Sequence, residues 1–89
     1  MGTINGRYCY VCGALRPLHL HHVFEGARKA ASERRGFLVY LCVEHHTGNT
    51  GVHHDRSLDL RLKRACQRYY EARIGTREEF IEEFRRSYL

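Results

Sequence analysis

Alternating apolar and polar positions predict a β-strand from Leu18 to Phe24. Successive side chains of a strand point to opposite faces, which divides the segment into Leu18, Leu20, His22 and Phe24 on one face and His19, His21 and Val23 on the other. The apolar run from Phe37 to Cys42, partly aromatic and β-branched, predicts a second, buried strand. The basic and polar stretch from Gly26 to Gly36 predicts a connecting loop with room for a helical turn.

Three helices are predicted after the second strand. The segment from Val43 to Thr47 can begin a short helix. Ser57 is a suitable N-cap for a long helix whose apolar positions recur as far as Arg73, and Gly75 ends it. Thr76 and Glu79 have the spacing of a capping box, which predicts a last helix. Its apolar stripe comprises Phe80, Ile81, Phe84 and Tyr88.

The size of the chain indicates one domain that needs help to stay folded. A domain of 89 residues gains little stability from its core alone and often recruits a metal. No segment has the length of a signal peptide or the roughly 18 apolar residues that span a bilayer. We therefore expect a cytoplasmic protein without membrane contact, with cysteines that are reduced or bound to metal. The net charge of +5 makes a polyanion a candidate partner.

Two pairs of potential ligands predict a structural Zn²⁺ site. Cys9 and Cys12 are two residues apart and precede a glycine, as in a zinc knuckle, and Cys42 and His45 repeat the separation after the second strand. Together they form a Cys₃His set, a common tetrahedral zinc shell. A redox pair would need a strand before it and a helix after it, which a position near the chain start does not favour. Cys66 lies on the apolar stripe of the long helix and is expected to be a small buried hydrophobe.

Six histidines remain after His45 is assigned to zinc, and they are His19, His21, His22, His46, His53 and His54. A metal nuclease needs two or three neutral imidazoles or carboxylates around a divalent ion, and a separate base with a pKa near neutral. Because adjacent strand residues point to opposite faces, His21 and His22 divide these tasks, one as ligand and one as base. His46 and one of the later pair can complete the ligand set, whereas His19 is expected to face solvent.

Four segments carry a resemblance to a known family. They are Cys9 to Cys12, His21 to Gly26, Leu41 to His46 and Gly51 to His53. They resemble the HNH (ββα-metal, or His-Me finger) endonuclease superfamily with a knuckle-type zinc. Within it they are similar to phage recombination-enhancing, recombinase-dependent nucleases and to small prophage HNH-like proteins.

The resemblance implies an α+β fold, in which a zinc-stapled ββα-metal core (residues 1–56) is followed by two C-terminal α-helices (residues 57–89) in a single domain. It implies a metal-dependent DNA endonuclease of phage or prophage origin in the cytoplasm of a bacterial host cell. By position His21 matches the first metal ligand, His22 the general base and His46 the first ligand on the metal helix. The catalytic cation would be Mg²⁺, Mn²⁺ or Zn²⁺.

The sequence departs from the family pattern in two places. The ligand expected one helical turn after His46 falls on Thr50, and nearby glycines suggest a kink that moves this role to His53, with His54 as the competing choice. The middle asparagine of the motif is not evident, because Asn49 is in the wrong place.

Basic side chains between the strands are the predicted DNA contacts, mainly through phosphates. They are Arg28, Lys29, Arg34 and Arg35, with Arg56, Arg61 and Arg64 as weaker candidates. A recombinase filament is a further candidate partner, and the oligomeric state stays open. Two other functions stay open as well: a non-catalytic zinc-stapled module that binds nucleic acid or protein, and a structural phage component.

Overall fold

Two strands and four α-helices form a small α+β fold, which a computed structural model describes for residues 3–89. In chain order the elements are β1 (Leu18–His22), a 3-10 turn (Gly26–Arg28), α1 (Lys29–Arg35), β2 (Leu38–Cys42), α2 (Val43–His46), α3 (Arg56–Arg73) and α4 (Arg77–Phe84).

The two strands pair antiparallel, with Leu18 opposite Cys42 and His22 opposite Leu38. Strand β2 is buried almost throughout, as its apolar sequence predicted. Because α2 begins at Val43, directly after β2, the carboxyl end of β2 and the short helix lie beside the start of β1. The start of β1, the carboxyl end of β2 and the short helix α2 are therefore next to one another.

The segment between the strands is more helical than the sequence indicated. Strand β1 ends at His22 rather than at Phe24, because the Phe24 backbone is hydrogen-bonded to a buried serine instead of to a strand. The Phe24 amide donates to Ser32 Oγ at 3.0 Å, and Ser32 Oγ donates to the Phe24 carbonyl at 2.7 Å. This double contact fixes α1 against the end of β1. Gly36, with a φ of 74°, ends α1 in the left-handed conformation that glycine favours.

The two long helices begin at side-chain caps. The N-cap of α3 is Asp55 and not Ser57, since the Asp55 carboxylate accepts hydrogen bonds from the amides of Ser57 and Leu58. The predicted capping box of α4 is confirmed: Thr76 Oγ1 accepts from the Glu79 amide, and the Glu79 carboxylate accepts from the Thr76 amide. At the start of α3, the charged Asp55 also suits the positive end of the helix dipole better than Ser57 would.

One apolar core joins the strands to the C-terminal helices. The Phe24 ring lies 4.5 Å from the Phe84 ring, 5.8 Å from Phe80 and 6.0 Å from Phe37, measured between centroids. Phe80 and Phe84 are fully buried, so α4 closes the core that begins at the strands. Across residues 3–89, no helix has the length and apolar character needed to cross a membrane.

Candidate metal centres

The segment around Cys9 and Cys12 forms a tight turn that is attached to β2. The Cys9 amide donates to the Ala14 carbonyl at 2.8 Å, and the Gly13 amide donates to the Cys9 carbonyl at 2.9 Å. Gly13 has a φ of 77°, a conformation that residues with a side chain rarely adopt. The Tyr10 amide donates to the carbonyl of Tyr40 in β2 at 2.9 Å. The turn therefore presents its two sulfurs to the end of β2.

Cys9, Cys12, Cys42 and His45 form a group that could hold a metal ion such as zinc, and we call it the cysteine site. Tetrahedral zinc, with bonds of about 2.3 Å to sulfur and about 2.05 Å to nitrogen, separates two sulfurs by about 3.8 Å and sulfur from nitrogen by about 3.6 Å. The Cys12 and Cys42 sulfurs are 3.8 Å apart. His45 Nδ1 lies 3.6 Å from Cys9 Sγ and 3.2 Å from Cys42 Sγ. These separations fit the edges of one zinc tetrahedron.

Two thiols of the cysteine site, those of Cys9 and Cys12, have pKa values shifted in opposite directions. Burial raises the pKa of Cys9, but backbone hydrogen bonds from Cys42, Cys12 and Val11 outweigh burial and lower this pKa to about 6. A backbone hydrogen bond from Ala14 lowers the pKa of Cys12, whereas desolvation and the adjacent thiols raise it, and the net shift is upward. Three thiolates this close repel one another, and a divalent cation would remove that repulsion.

A second group, which we call the histidine site, comprises His21, His46 and His53, whose ligand atoms lie within 4.8 Å of one another. His21 is on β1, His46 is the last residue of α2, and His53 is in the segment that follows α2. The Nε2 atoms of His46 and His53 are 3.4 Å apart. That separation equals the edge of about 3.4 Å expected for two nitrogens on one tetrahedral zinc ion.

The segment between α2 and α3 folds back on α2 and so carries His53 to His46. The Val52 amide donates to the His45 carbonyl at 2.9 Å, and the Thr50 amide and hydroxyl donate to the Glu44 carboxylate at 3.0 and 2.7 Å. Gly51 permits this close approach, because a Cβ there would lie 2.7 Å from the Glu44 carbonyl oxygen. The predicted kink is therefore a tight return loop, and His53 rather than His54 joins the group.

His21 has the surroundings of a metal ligand. Its side chain is 2% exposed, and within residues 3–89 neither of its ring nitrogens has a hydrogen-bond partner. Burial, followed by the nearby His46 and His53, lowers the pKa of His21 to about 4, so this imidazole is neutral at pH 7. A buried ring with two unpaired nitrogens is costly. A cation bound to one nitrogen would offset part of that cost, so the residues present fit a divalent metal.

Two residues at the histidine site were not assigned to it from the sequence. His19 is exposed, as expected, and its Nδ1 also lies 2.9 Å from His46 Nδ1. Glu25 Oε1 lies 3.5 Å from His21 Nδ1 and 3.8 Å from His53 Nε2. The signal for His19 was present, since it shares a strand face with His21. Glu25 follows the end of β1, where strand alternation no longer predicts direction.

His22 lies apart from the histidine site. Its Nε2 atom is 2.9 Å from Glu33 Oε1 on α1, whereas His21 faces His46 and His53. This separation agrees with the expectation that two adjacent strand residues have different tasks. A proton on Nε2 satisfies the contact with Glu33 and leaves the Nδ1 lone pair to accept another proton.

The predicted DNA contacts differ in their surroundings. Arg34 and Arg35 both bind the Glu83 carboxylate on α4, at 2.6 and 3.0 Å, and so connect α1 to α4. Lys29 is exposed. The Arg28 side chain is half-buried, with an Nε atom that has no partner within residues 3–89. The structure therefore gives Arg34 and Arg35 a structural contact that the sequence did not indicate.

A polar cleft of about 280 Å³ adjoins the histidine site. It is lined by Glu25, Val52, His53, His54, Arg56, Asp59 and Lys63. Asp59 on α3 binds Arg56 and Lys63, each at 2.8 Å. The cleft therefore places two basic and two acidic side chains beside His53.

The structure brings the seven predicted ligands together in two groups, and their metal binding stays a prediction. No family model, curated protein or solved structure matches the chain.

Proposed function

We propose that this protein is a metal-dependent DNA endonuclease of the HNH type, of phage or prophage origin. The observation that carries the proposal is the convergence of His21, His46 and His53 beside the cysteine site. The sequential order of β1, β2 and α2 agrees with the expected ββα-metal arrangement. His53 is 39% exposed, and three protein ligands with access from solvent are typical of a catalytic metal site, whereas four ligands are typical of a structural one.

His21 and His46 would hold the divalent cation as neutral imidazoles, with His53 as the third ligand. Burial lowers the pKa of His46, as it does that of His21, and the neighbouring His53 and His19 lower it further. Neutral rings keep their nitrogen lone pairs for a cation at pH 7. When bound, the cation supplies Lewis-acid stabilisation of the charge that develops on the phosphodiester.

His22 is proposed as the general base. Glu33 holds the ring through Nε2 at 2.9 Å, which orients the imidazole, as a carboxylate does in other histidine bases. Nδ1 is then the atom that accepts the proton of the attacking water.

Basic residues near the histidine site are proposed to bind phosphates. Arg56 and Lys63 line the adjoining cleft, and Lys29 is exposed on α1. Phosphate contacts of this kind carry no sequence preference and weaken as salt rises.

A nicking assay on supercoiled plasmid with Mn²⁺, Mg²⁺ or Zn²⁺ tests the proposal. The protein with both sites loaded should nick the plasmid, and His22→Ala should lower the rate by about 100-fold or more, since a general base contributes about that factor. His22→Ala should keep both ions and its circular dichroism spectrum. Glu78→Gln is the control, because Glu78 is exposed on α4 and belongs to neither group.

The second candidate is a zinc-stapled module that binds nucleic acid or protein without catalysis. It is favoured by one observation, the attachment of His22 to Glu33 away from the histidine site. Wild-type protein that holds two ions, binds DNA and does not nick it would establish this candidate and overturn the nuclease.

A further inference from the structure

Glu25 is the one carboxylate within 4 Å of two side chains of the histidine site among residues 3–89. It lies between β1 and the 3-10 turn and is 52% exposed. Its Oε1 atom approaches His21 Nδ1 at 3.5 Å and His53 Nε2 at 3.8 Å. Neither contact is a short hydrogen bond, so hydrogen bonding alone does not account for its position.

The distances from Glu25 to two of the three histidines approach those of a shared cation, although Glu25 itself lies outside the group whose ligand atoms are all within 4.8 Å of one another. Zinc bonds of about 2.0–2.2 Å to oxygen and about 2.05 Å to nitrogen separate two such ligands by about 3.4 Å in a tetrahedron. Three measured separations approach this value: 3.4 Å between the Nε2 atoms of His46 and His53, 3.5 Å from Glu25 to His21, and 3.8 Å from Glu25 to His53.

The ring nitrogen of His53 that Glu25 approaches shows whether Glu25 is placed as a metal ligand or as an outer hydrogen-bond partner. A carboxylate that only orients a metal-bound histidine contacts the ring nitrogen that does not bind the metal. Glu25 instead approaches Nε2 of His53, the same nitrogen that lies 3.4 Å from His46 Nε2. Its oxygen is therefore on the ligand side of the His53 ring.

We propose that Glu25 is the fourth protein ligand of the histidine site and that the site takes a first-row transition cation such as Zn²⁺ rather than Mg²⁺. Three imidazoles with one carboxylate suit Zn²⁺, whereas Mg²⁺ takes oxygen ligands in a near-ideal octahedron. Glu25 is 52% exposed, so this fourth ligand can leave the cation when a phosphate binds, which restores the three-ligand, open site of the proposed nuclease. The inference deepens the proposed function and rests on its metal site.

The test is calorimetric titration of the second ion. Protein is first given one equivalent of Zn²⁺, which the three thiolates take, and is then titrated with Zn²⁺, Co²⁺ or Mg²⁺. Glu25→Gln should weaken Zn²⁺ and Co²⁺ binding by more than the roughly 10- to 100-fold that loss of an outer hydrogen-bond partner costs, and Glu25→Asp should restore part of the affinity. The visible spectrum of bound Co²⁺ should shift in Glu25→Gln, because a ligand is lost. Glu78→Gln, on the exposed face of α4, is the control and should bind like wild type.

The outcomes separate the two proposals. If His53→Ala removes the second ion and Glu25→Gln leaves both its affinity and its Co²⁺ spectrum unchanged, Glu25 is not a ligand and the histidine site stands. If neither variant changes the binding of a second ion, the histidine site itself is wrong. Binding of Mg²⁺ as tight as that of Zn²⁺ would overturn the assignment to a transition metal.

Discussion

Cys12 is the residue at which the contribution of the cysteine site to stability is best tested. Its side chain is exposed, so its replacement by serine removes little apolar burial, and any large effect must come through the cysteine site. Zinc contributes on the order of 10 kcal/mol to the folding of small zinc domains. We therefore expect Cys12→Ser to be unfolded or to melt at a far lower temperature than the zinc-loaded wild type, as measured by circular dichroism.

Protein from which a chelator has removed the zinc provides the control for this prediction. Once zinc is removed, wild type and Cys12→Ser should melt alike, because the serine then costs nothing further. A wild-type melting curve that a strong chelator leaves unchanged would show that the cysteine site does not stabilise the fold.

For single residues, the spacing along the chain was sufficient to predict which residues group together when these residues are close in sequence. The two-residue separations of Cys9 and Cys12, and of Cys42 and His45, indicated a group that the structure brings together. Glu25 could not be found in this way, because its approach to His53 depends on the return loop after α2. That loop depends in turn on contacts at Gly51 that no periodic pattern records.

At the scale of elements, Glu83 is the contact that holds α4 to α1. Burial raises the pKa of Glu83, but hydrogen bonds from Arg34 and Arg35 outweigh burial and the net shift is downward. A carboxyl group whose pKa falls on folding adds stability above its ordinary pKa of about 4.3 and loses it as the pH drops below that value. The contribution is therefore present at pH 7.

Glu83→Gln should accordingly lower the free energy of unfolding at pH 7 by roughly 1–2 kcal/mol, near the lower end of the range of about 1.5–3 kcal/mol for hydrogen bonds to a charged group, because Arg34 is 57% exposed. Urea denaturation of zinc-loaded protein measures it. Glu82→Gln is the matched neighbour, exposed on α4, and should stay within about 0.5 kcal/mol of wild type. Equal stabilities of the two variants would mean that the ion pairs of Arg34 and Arg35 do not hold the helices together.

Periodicity predicted the strands and the two long helices but missed α1. Helix α1 buries only Ala31 and Ser32, so it shows no apolar stripe, and it is anchored by a serine hydroxyl that a hydrophobic pattern ignores. The cap at Asp55 was missed for a related reason: Asp55 and Ser57 are both good caps, and the choice depends on the loop that precedes them.

For the whole molecule, the aromatic residues of α3 and α4 divide between the core and the surface. Phe80, Phe84 and Tyr70 enter the core, whereas Tyr69 is half exposed. The sequence could not separate these tyrosines, because the direction of α3 relative to the strands depends on the packed core as a whole. The strands and both C-terminal helices share that core, so metal loss near the strands should affect all of it.

His45 and His46 are adjacent in α2 and face different ligand groups, so one turn of helix serves both ions. Occupancy of either group should then favour the other, and thermodynamic linkage requires the two effects to be equal. Competition with a chelator measures this cooperativity: the thiolate-bound Zn²⁺ should be held about 5- to 150-fold more tightly in wild type with both ions than in His53→Ala, which keeps all three cysteines. Identical retention in the two proteins would mean that the ions are independent. Such coupling would loosen the first ion once the second is lost, so a fall in free zinc would empty both groups over a narrower concentration range than independent sites would show.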